Sequence, residues 1–203
     1  MKREIEVKFD MPIHIPEIDI LSGIEDIASR HGLAVQPWET VRREFVYYDT
    51  TKLNYYQREE TVRRVSGFDL AKSKGVYRYD YKSGTLEDRW EEVVWSNKEL
   101  TLIEIAQQLT LPEKYAGITI SALARTTHTR TKLTDDKTIL QATIDYFDVQ
   151  KGIPFRELEI ELESGEEKQL HSVSHTLAHV LNLKRVHKQK YARVLESKGV
   201  VTT

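Results

Sequence analysis

The chain has 203 residues with 30 basic and 32 acidic side chains, a length that suits one domain, 1–203, around one well-filled core. A net charge of −2 gives no reason to expect a nucleic-acid or acidic-membrane surface, and the lack of cysteine removes disulfides and thiolate metal sites. With no apolar leader and no window resembling a membrane span, the expectation is a soluble cytoplasmic protein, monomer or homodimer.

The opening stretch Lys2-Arg3-Glu4-Ile5-Glu6-Val7-Lys8-Phe9 alternates charged and apolar residues, so as a strand it lines Glu4, Glu6 and Lys8 on one face. Pro12 and Pro16 interrupt the backbone, and Glu17 to His31 carries Ile18, Leu21, Ile24, Ile27 and Ala28 at helical spacing, with Gly32 as its stop. Strand chemistry returns from Val41 through Tyr47-Tyr48-Asp49-Thr50, and again from about Gln57 to Ser66, which holds Arg63 and Arg64. Gly67 and Gly75 bracket a loop. A hairpin follows, Val76 to Lys82 and Glu87 to Trp95 around Ser83-Gly84-Thr85, with Arg78, Asp80 and Lys82 on one face and Arg89 and Glu91 on another.

Asn97 reads as the cap of a helix from Lys98 to about Leu109, ended by Pro112. Strands are expected from Ile118 to Leu133 and from Lys137 to Val149, joined by Asp135-Asp136. Glu157-Leu158-Glu159-Ile160-Glu161-Leu162-Glu163 repeats the opening pattern, with carboxylates on one face and branched aliphatics on the other. Helices over Glu166 to Leu183 and Lys188 to Ser197 complete the chain.

About eight strands with short turns suggest a barrel or sandwich. Strands with charge at alternate positions cannot turn that face to a dry core, because unpaired buried charge is costly. The architecture that satisfies both faces is α+β: an eight-stranded antiparallel barrel with a charged interior and helices packed outside. Clustered carboxylates call for a divalent cation or for bases, and hard cations such as Mg²⁺ or Mn²⁺ choose oxygen ligands. Clustered Lys and Arg suit phosphate. A phosphate chain gripped by cations and bridged to glutamates through a metal would use both sets; an internal salt-bridge network would use the same residues.

Glu4-Ile5-Glu6-Val7-Lys8 resembles the Glu-x-Glu-x-Lys signature of the CYTH domain of triphosphate tunnel metalloenzymes. Tyr47-Tyr48-Asp49-Thr50, Arg63, Lys82, Arg89-Trp90-Glu91, Asp145, Glu157 to Glu161 and Lys190-Tyr191 follow in the family's order. The resemblance implies an eight-stranded tunnel acting on triphosphates with Mg²⁺ or Mn²⁺. Carried over by position, it implies Glu4, Glu6, Asp145, Glu157, Glu159 and Glu161 as metal-site residues, Glu4, Glu6 and Lys8 as catalytic, and Lys8, Arg63, Lys82, Arg89, Arg125, Arg130 and Lys190 on the phosphates. Where the family often has two arginines at alternate positions the chain has Arg63 and Val65, and Gln189 stands where serine is usual before the lysine. The implied substrate is a small triphosphate, inorganic tripolyphosphate foremost, with nucleoside or thiamine triphosphate as relatives. An adenylate cyclase making cyclic AMP and pyrophosphate is the alternative activity, and a non-catalytic polyphosphate or nucleotide binder is the rival class.

His171, His175 and His179 recur every four residues and read as a solvated face beside an apolar stripe. Of the basic run Lys184 to Lys190, only Lys190 is expected to be functional. Tyr77, Tyr79 and Tyr81 are expected to pack against helices. No P-loop glycine pattern and no serine or cysteine triad is present.

Overall fold

The computed structural model describes residues 2–67, 76–85, 89–109, 111 and 117–201, and the expected Gly75 loop end and Pro112 helix stop lie outside them. The alternating opening stretch forms a strand broken once, at Ile5, into β1 (Lys2–Glu4) and β2 (Glu6–Met11). The remaining strands are β3 (Ala34–Val35), β4 (Glu39–Thr50), β5 (Thr61–Ser66), β6 (Tyr77–Gly84), β7 (Arg89–Ser96), β8 (Ile118–Thr134), β9 (Ile139–Val149), β10 (Phe155–Ser164) and β11 (Lys184–Arg185).

The break at Ile5 lets one segment serve two neighbours. β1 pairs with β7 while β2 pairs with β10, and the path between them runs β7-β6-β5-β4-β8-β9-β10, every pair antiparallel. Leu162 N also donates to Ile5 O, at 2.9 Å. The first strand therefore joins the two ends of the sheet, and the sheet curls into a tunnel. Counting the broken strand once, the described residues form ten strands rather than eight. The two additions, β3 and β11, are two residues each, too short to carry a readable alternation.

Helices α1 (Glu17–Arg30), α3 (Leu102–Gln108) and α4 (Glu167–Val180) cover the outside; α2 (Asn54–Gln57) is a single turn, and α5 (Lys190–Ser197) ends the chain. On one flank Ile20, Ile24 and Ile27 of α1 and Leu170, Val173 and Leu177 of α4 join Val7, Phe9, Ile144, Leu158 and Ile160 from the outer faces of the strands. On the other, Ile105 and Ala106 of α3 cover Val46, Val62, Tyr79 and Tyr81, so these two tyrosines pack as the alternation predicts. The α3 cap is Thr101 rather than Asn97: Thr101 Oγ1 accepts from Glu104 N, and Glu104 returns a carboxylate to Thr101 N.

The fifth helix behaves differently. Tyr191, Val194 and Leu195 of α5 pack on Phe45, Tyr47, Ala122, Ala124 and Phe147, which have inward parity. The barrel interior is thus apolar at the end that α5 covers and charged beyond it. Buried Asp49 anchors this plug, accepting from Thr50 N, Tyr55 N and Tyr56 N at 2.7, 3.0 and 3.0 Å, and from Tyr191 Oη at 2.9 Å. Among the described residues no helix is long and apolar enough to cross a membrane.

Candidate functional site

Register decides which charges meet. Lys8 stands opposite Glu159, Glu6 opposite Glu161, and Glu157 between Asp10 and Asp145. His128 faces Asp145, Arg63 faces Asp80, Lys82 faces Glu91, and Glu4 faces Arg89. All have inward parity, so the tunnel encloses a cavity of about 260 Å³. Its walls include Lys8, Arg43, Arg63, Arg78, Lys82, Arg89, Arg130 and Lys190.

Because buried charge must be paired, carboxylates hold Lys8, Arg63, Arg78, Lys82, Arg89 and Lys190. Lys8 Nζ lies 2.9 Å from Glu6 and 2.7 Å from Glu159. Lys82 Nζ donates to both oxygens of Glu4, at 2.8 and 2.7 Å, and stands 3.2 Å from Glu91. Arg89 donates to Glu6 at 3.1 Å. Arg63 and Arg78 converge on Asp80 at 2.7 and 2.5 Å, and Arg78 also reaches Glu91.

A second group gathers where α5 meets β9 and β10. Lys190 Nζ lies 2.6 Å from Asp145 Oδ2 and also donates to Glu159, while Arg193, one turn on, bridges Glu157 at 2.8 Å and Asp10 at 2.5 Å. Asp145, Glu157 and Glu159 each offer an oxygen within 4.8 Å of the others. Burial alone would raise all three carboxyls. Lys190 and His128 nevertheless hold Asp145 well below the usual carboxylate range, and Lys190 and Lys8 do the same for Glu159. Glu157 goes the other way, raised by burial and by the neighbouring Glu159 charge. Its Oε1 is buried and makes no hydrogen bond; Lys190 Nζ is 3.5 Å away. An all-oxygen donor set with one unsatisfied buried carboxylate oxygen fits a hard divalent cation.

The sequence-predicted residues divide accordingly. Asp145, Glu157 and Glu159 form the acidic triad. Glu4 and Glu6 sit in the adjoining group, gripped by Lys82, Lys8 and Arg89. Glu161 lines the cavity, and Arg130 lines it while pairing with exposed Glu39 at 3.0 Å. Arg63 faces inward in regular register, and Arg64 points outward to Glu44 and Glu99. Arg125 is the correction: it is exposed and lies opposite Glu44 and Asp148, outside the cavity, because His128 and Arg130 take the inward positions of β8. Gln189 bonds Thr61 at 2.8 Å and the Glu59 carbonyl, fixing the start of α5. The histidines of α4 are exposed and do not line the cavity.

Arg43, His128 and Arg193 were not foreseen. Arg43 has the parity of Phe45 and Tyr47, a signal available once β4 is taken as one long strand. Arg193 follows Lys190 at helical spacing and was legible as sharing its face.

No family model and no curated protein sequence matches the chain; its likeness is structural. A candidate adenylate cyclase from Bacillus halodurans superposes with TM-score 0.57 at 13% identity, over 95% of this chain and 98% of that one. A candidate adenylate cyclase from Vibrio parahaemolyticus gives TM-score 0.55 at 15% identity, over 96% and 98%. A Hippeastrum candidate adenylyl cyclase described as having a dominant triphosphatase activity gives TM-score 0.58 at 13% identity, over 96% of each chain. The chain shares their fold over nearly its whole length, in keeping with the CYTH resemblance of Glu4-Ile5-Glu6-Val7-Lys8.

Proposed function

We propose that this chain, folded as those cyclase and triphosphatase proteins are, hydrolyses a triphosphate inside the tunnel, with inorganic tripolyphosphate as substrate and Mg²⁺ or Mn²⁺ as the required cation. The observation that carries the reading is the enclosure, among the described residues, of eight Lys and Arg side chains with Asp145 and Glu159 in one cavity, buried Glu157 standing beside those two acids. At about 260 Å³ the space lies below the usual range of about 300–1,000 Å³ for small-molecule pockets, which suits a compact ligand. Among the described residues only Phe45 and Tyr191 interrupt its polar lining, and Arg63 already lies over the Phe45 ring at 4.9 Å. Among the described lining residues none offers an apolar slot for a base, which favours a chain of phosphates alone.

Asp145, Glu157 and Glu159 would hold the cation, which when bound neutralises phosphate charge and polarises the phosphorus under attack. The chain's own residues do the rest. Lys8, Lys82, Arg63 and Arg89 exchange part of their carboxylate contacts for phosphate oxygens, in positions fixed before substrate arrives. Glu4 and Glu6 keep Lys82, Lys8 and Arg89 aimed at the cavity. Lys190, tethered by α5, balances the triad and adds a donor at its floor.

The second reading, an adenylate cyclase, draws on the printed descriptions of the similar structures. Product analysis separates the two. Tripolyphosphate, ATP and thiamine triphosphate are each incubated with Mg²⁺ or Mn²⁺, with and without excess chelator. Chelator-sensitive orthophosphate release favouring tripolyphosphate supports the proposal. Cyclic AMP from ATP, with no phosphate from tripolyphosphate, replaces it with the cyclase; tight binding without any product replaces it with a binding module.

A further inference from the structure

Arg193 of α5 meets three residues on two neighbouring strands. Its Nη1 donates to Glu157 Oε2 at 2.8 Å, its Nη2 donates to Asp10 Oδ1 at 2.5 Å, and its Cζ lies 4.3 Å from the centroid of the Phe155 ring. Asp10 is the register partner of Glu157 on β2, and Phe155 precedes Glu157 by two residues on β10. The planar fork is thus anchored both on the strand beside Glu157 and on the strand that carries it. A guanidinium only donates, so Oε2 is committed to Arg193. The other oxygen, Oε1, is buried without a hydrogen bond, and Lys190 Nζ stands 3.5 Å from it. With Oε2 taken, Oε1 is what Glu157 can offer beside Asp145 and Glu159. The terminal torsion of a glutamate is broad and roughly two-fold, so nothing intrinsic to Glu157 keeps that oxygen in place.

We propose that Arg193 is a positioning residue: it holds Glu157 Oε2 so that Oε1 is presented to the cation shared with Asp145 and Glu159, a role that rests on the metal-dependent reading above. Charge alone would act in the opposite sense. A guanidinium this near a divalent cation repels it, and without Arg193 the buried Glu157 would look to the metal for its balance. Positioning therefore predicts that loss of Arg193 weakens metal binding, where charge predicts that it tightens. The two cations of α5 divide accordingly: Lys190 balances the triad, and Arg193 aims one of its oxygens.

Mn²⁺ affinity is measured by titration calorimetry, without substrate, for the wild-type protein, Arg193→Met, Arg193→Lys, Asp10→Ala and Val194→Ala. Arg193→Met and Arg193→Lys should both bind Mn²⁺ about 10–100-fold more weakly, the scale on which partners that orient metal ligands act. Lysine keeps the charge but cannot span Glu157 and Asp10 as a planar fork does. Asp10→Ala removes one anchor of that fork at an exposed residue and should shift the affinity the same way by less. Val194→Ala loosens the packing of α5 on the barrel while leaving Glu157 its partner, and should bind Mn²⁺ as the wild-type protein does. Unchanged or tighter binding in Arg193→Met, or unchanged binding in Arg193→Lys, overturns the proposal in favour of charge balance. A loss in Val194→Ala as large as that in Arg193→Met overturns it in favour of helix docking. Should Arg193→Met not fold, unchanged affinity in Arg193→Lys and Asp10→Ala overturns it instead. A wild-type protein that binds no Mn²⁺ overturns this role together with the metal reading, whereas a failure of hydrolysis itself would show in the product analysis and not in these substrate-free affinities.

Discussion

Lys190 Nζ stands 2.6 Å from Asp145 Oδ2, so the last helix delivers an ammonium into a carboxylate group built by two strands. The same ammonium also reaches Glu159, and burial leaves few other groups to balance either acid. Removing one member of such a set leaves uncompensated charge, at a cost of about 3–5 kcal/mol. Lys190→Met should therefore lower the unfolding midpoint in chelator, and Mn²⁺ should restore more stability to the variant than it adds to the wild-type protein. Thermal unfolding with and without Mn²⁺ reads both effects; an equal metal response in the two proteins would separate Lys190 from the metal site.

The inward and outward arginines make a matched comparison. Arg63 faces the cavity with Asp80, whereas Arg64 is turned to Glu44 and Arg125 is exposed. Arg63→Gln should reduce kcat/KM for tripolyphosphate by about 100-fold, the scale of losing one preorganised donor. Arg64→Gln and Arg125→Gln should stay near wild type. Equal losses in all three would mean that general surface charge, not the tunnel, governs binding.

Glu4 supplies a pH test with a defined sign. Burial opposes its ionisation, but Lys82 and Arg89 bring it from 4.5 down to about 2. A carboxyl depressed on folding contributes stability that is complete above its unfolded value and is lost as pH falls through its folded value. The stability gap between wild type and Glu4→Gln, measured by urea unfolding, should be widest at neutral pH and should shrink between 4.5 and about 2. A gap independent of pH across that window would contradict the Lys82 pairing.

Gly165 joins β10 to α4 with φ of +108°, and a Cβ there would lie 2.8 Å from the Lys137 carbonyl oxygen and from Thr138 Cα. Backbone atoms cannot swing aside as a side-chain tip does. Gly165→Ala should cost about 1–3 kcal/mol from backbone strain alone, with the steric contact adding to it. Thr101→Ala, which removes the α3 cap, should cost about 1 kcal/mol. Denaturant unfolding of both variants checks the order, and a Gly165→Ala protein as stable as wild type would refute the turn geometry.

Much of this architecture was legible because charge and apolarity alternate cleanly where one strand face is wet and the other is covered by helices. Glu4, Glu6 and Lys8, and later Glu157, Glu159 and Glu161, declare their shared face without any structure. His128 and Arg125 lie in a threonine-rich stretch where that contrast fades, so parity there is set by pairing with β9, which local pattern does not contain. Asn97 looked like a cap by residue type alone; the Thr101-x-x-Glu104 spacing carried the stronger signal, since two reciprocal bonds outweigh one. The inward packing of α5 was hidden for another reason: an apolar helical stripe states that it is covered, not by which face of a barrel.

The most direct measurement is the initial rate of orthophosphate release from tripolyphosphate as Mn²⁺ is titrated, for the wild-type protein and for Glu159→Gln. The account predicts saturable, chelator-reversible turnover in the wild-type protein and its loss in a Glu159→Gln variant that remains folded by circular dichroism. Metal-independent turnover, or a Glu159→Gln protein with the wild-type rate and metal dependence, would contradict the assignment of the acidic triad to metal-assisted triphosphate hydrolysis.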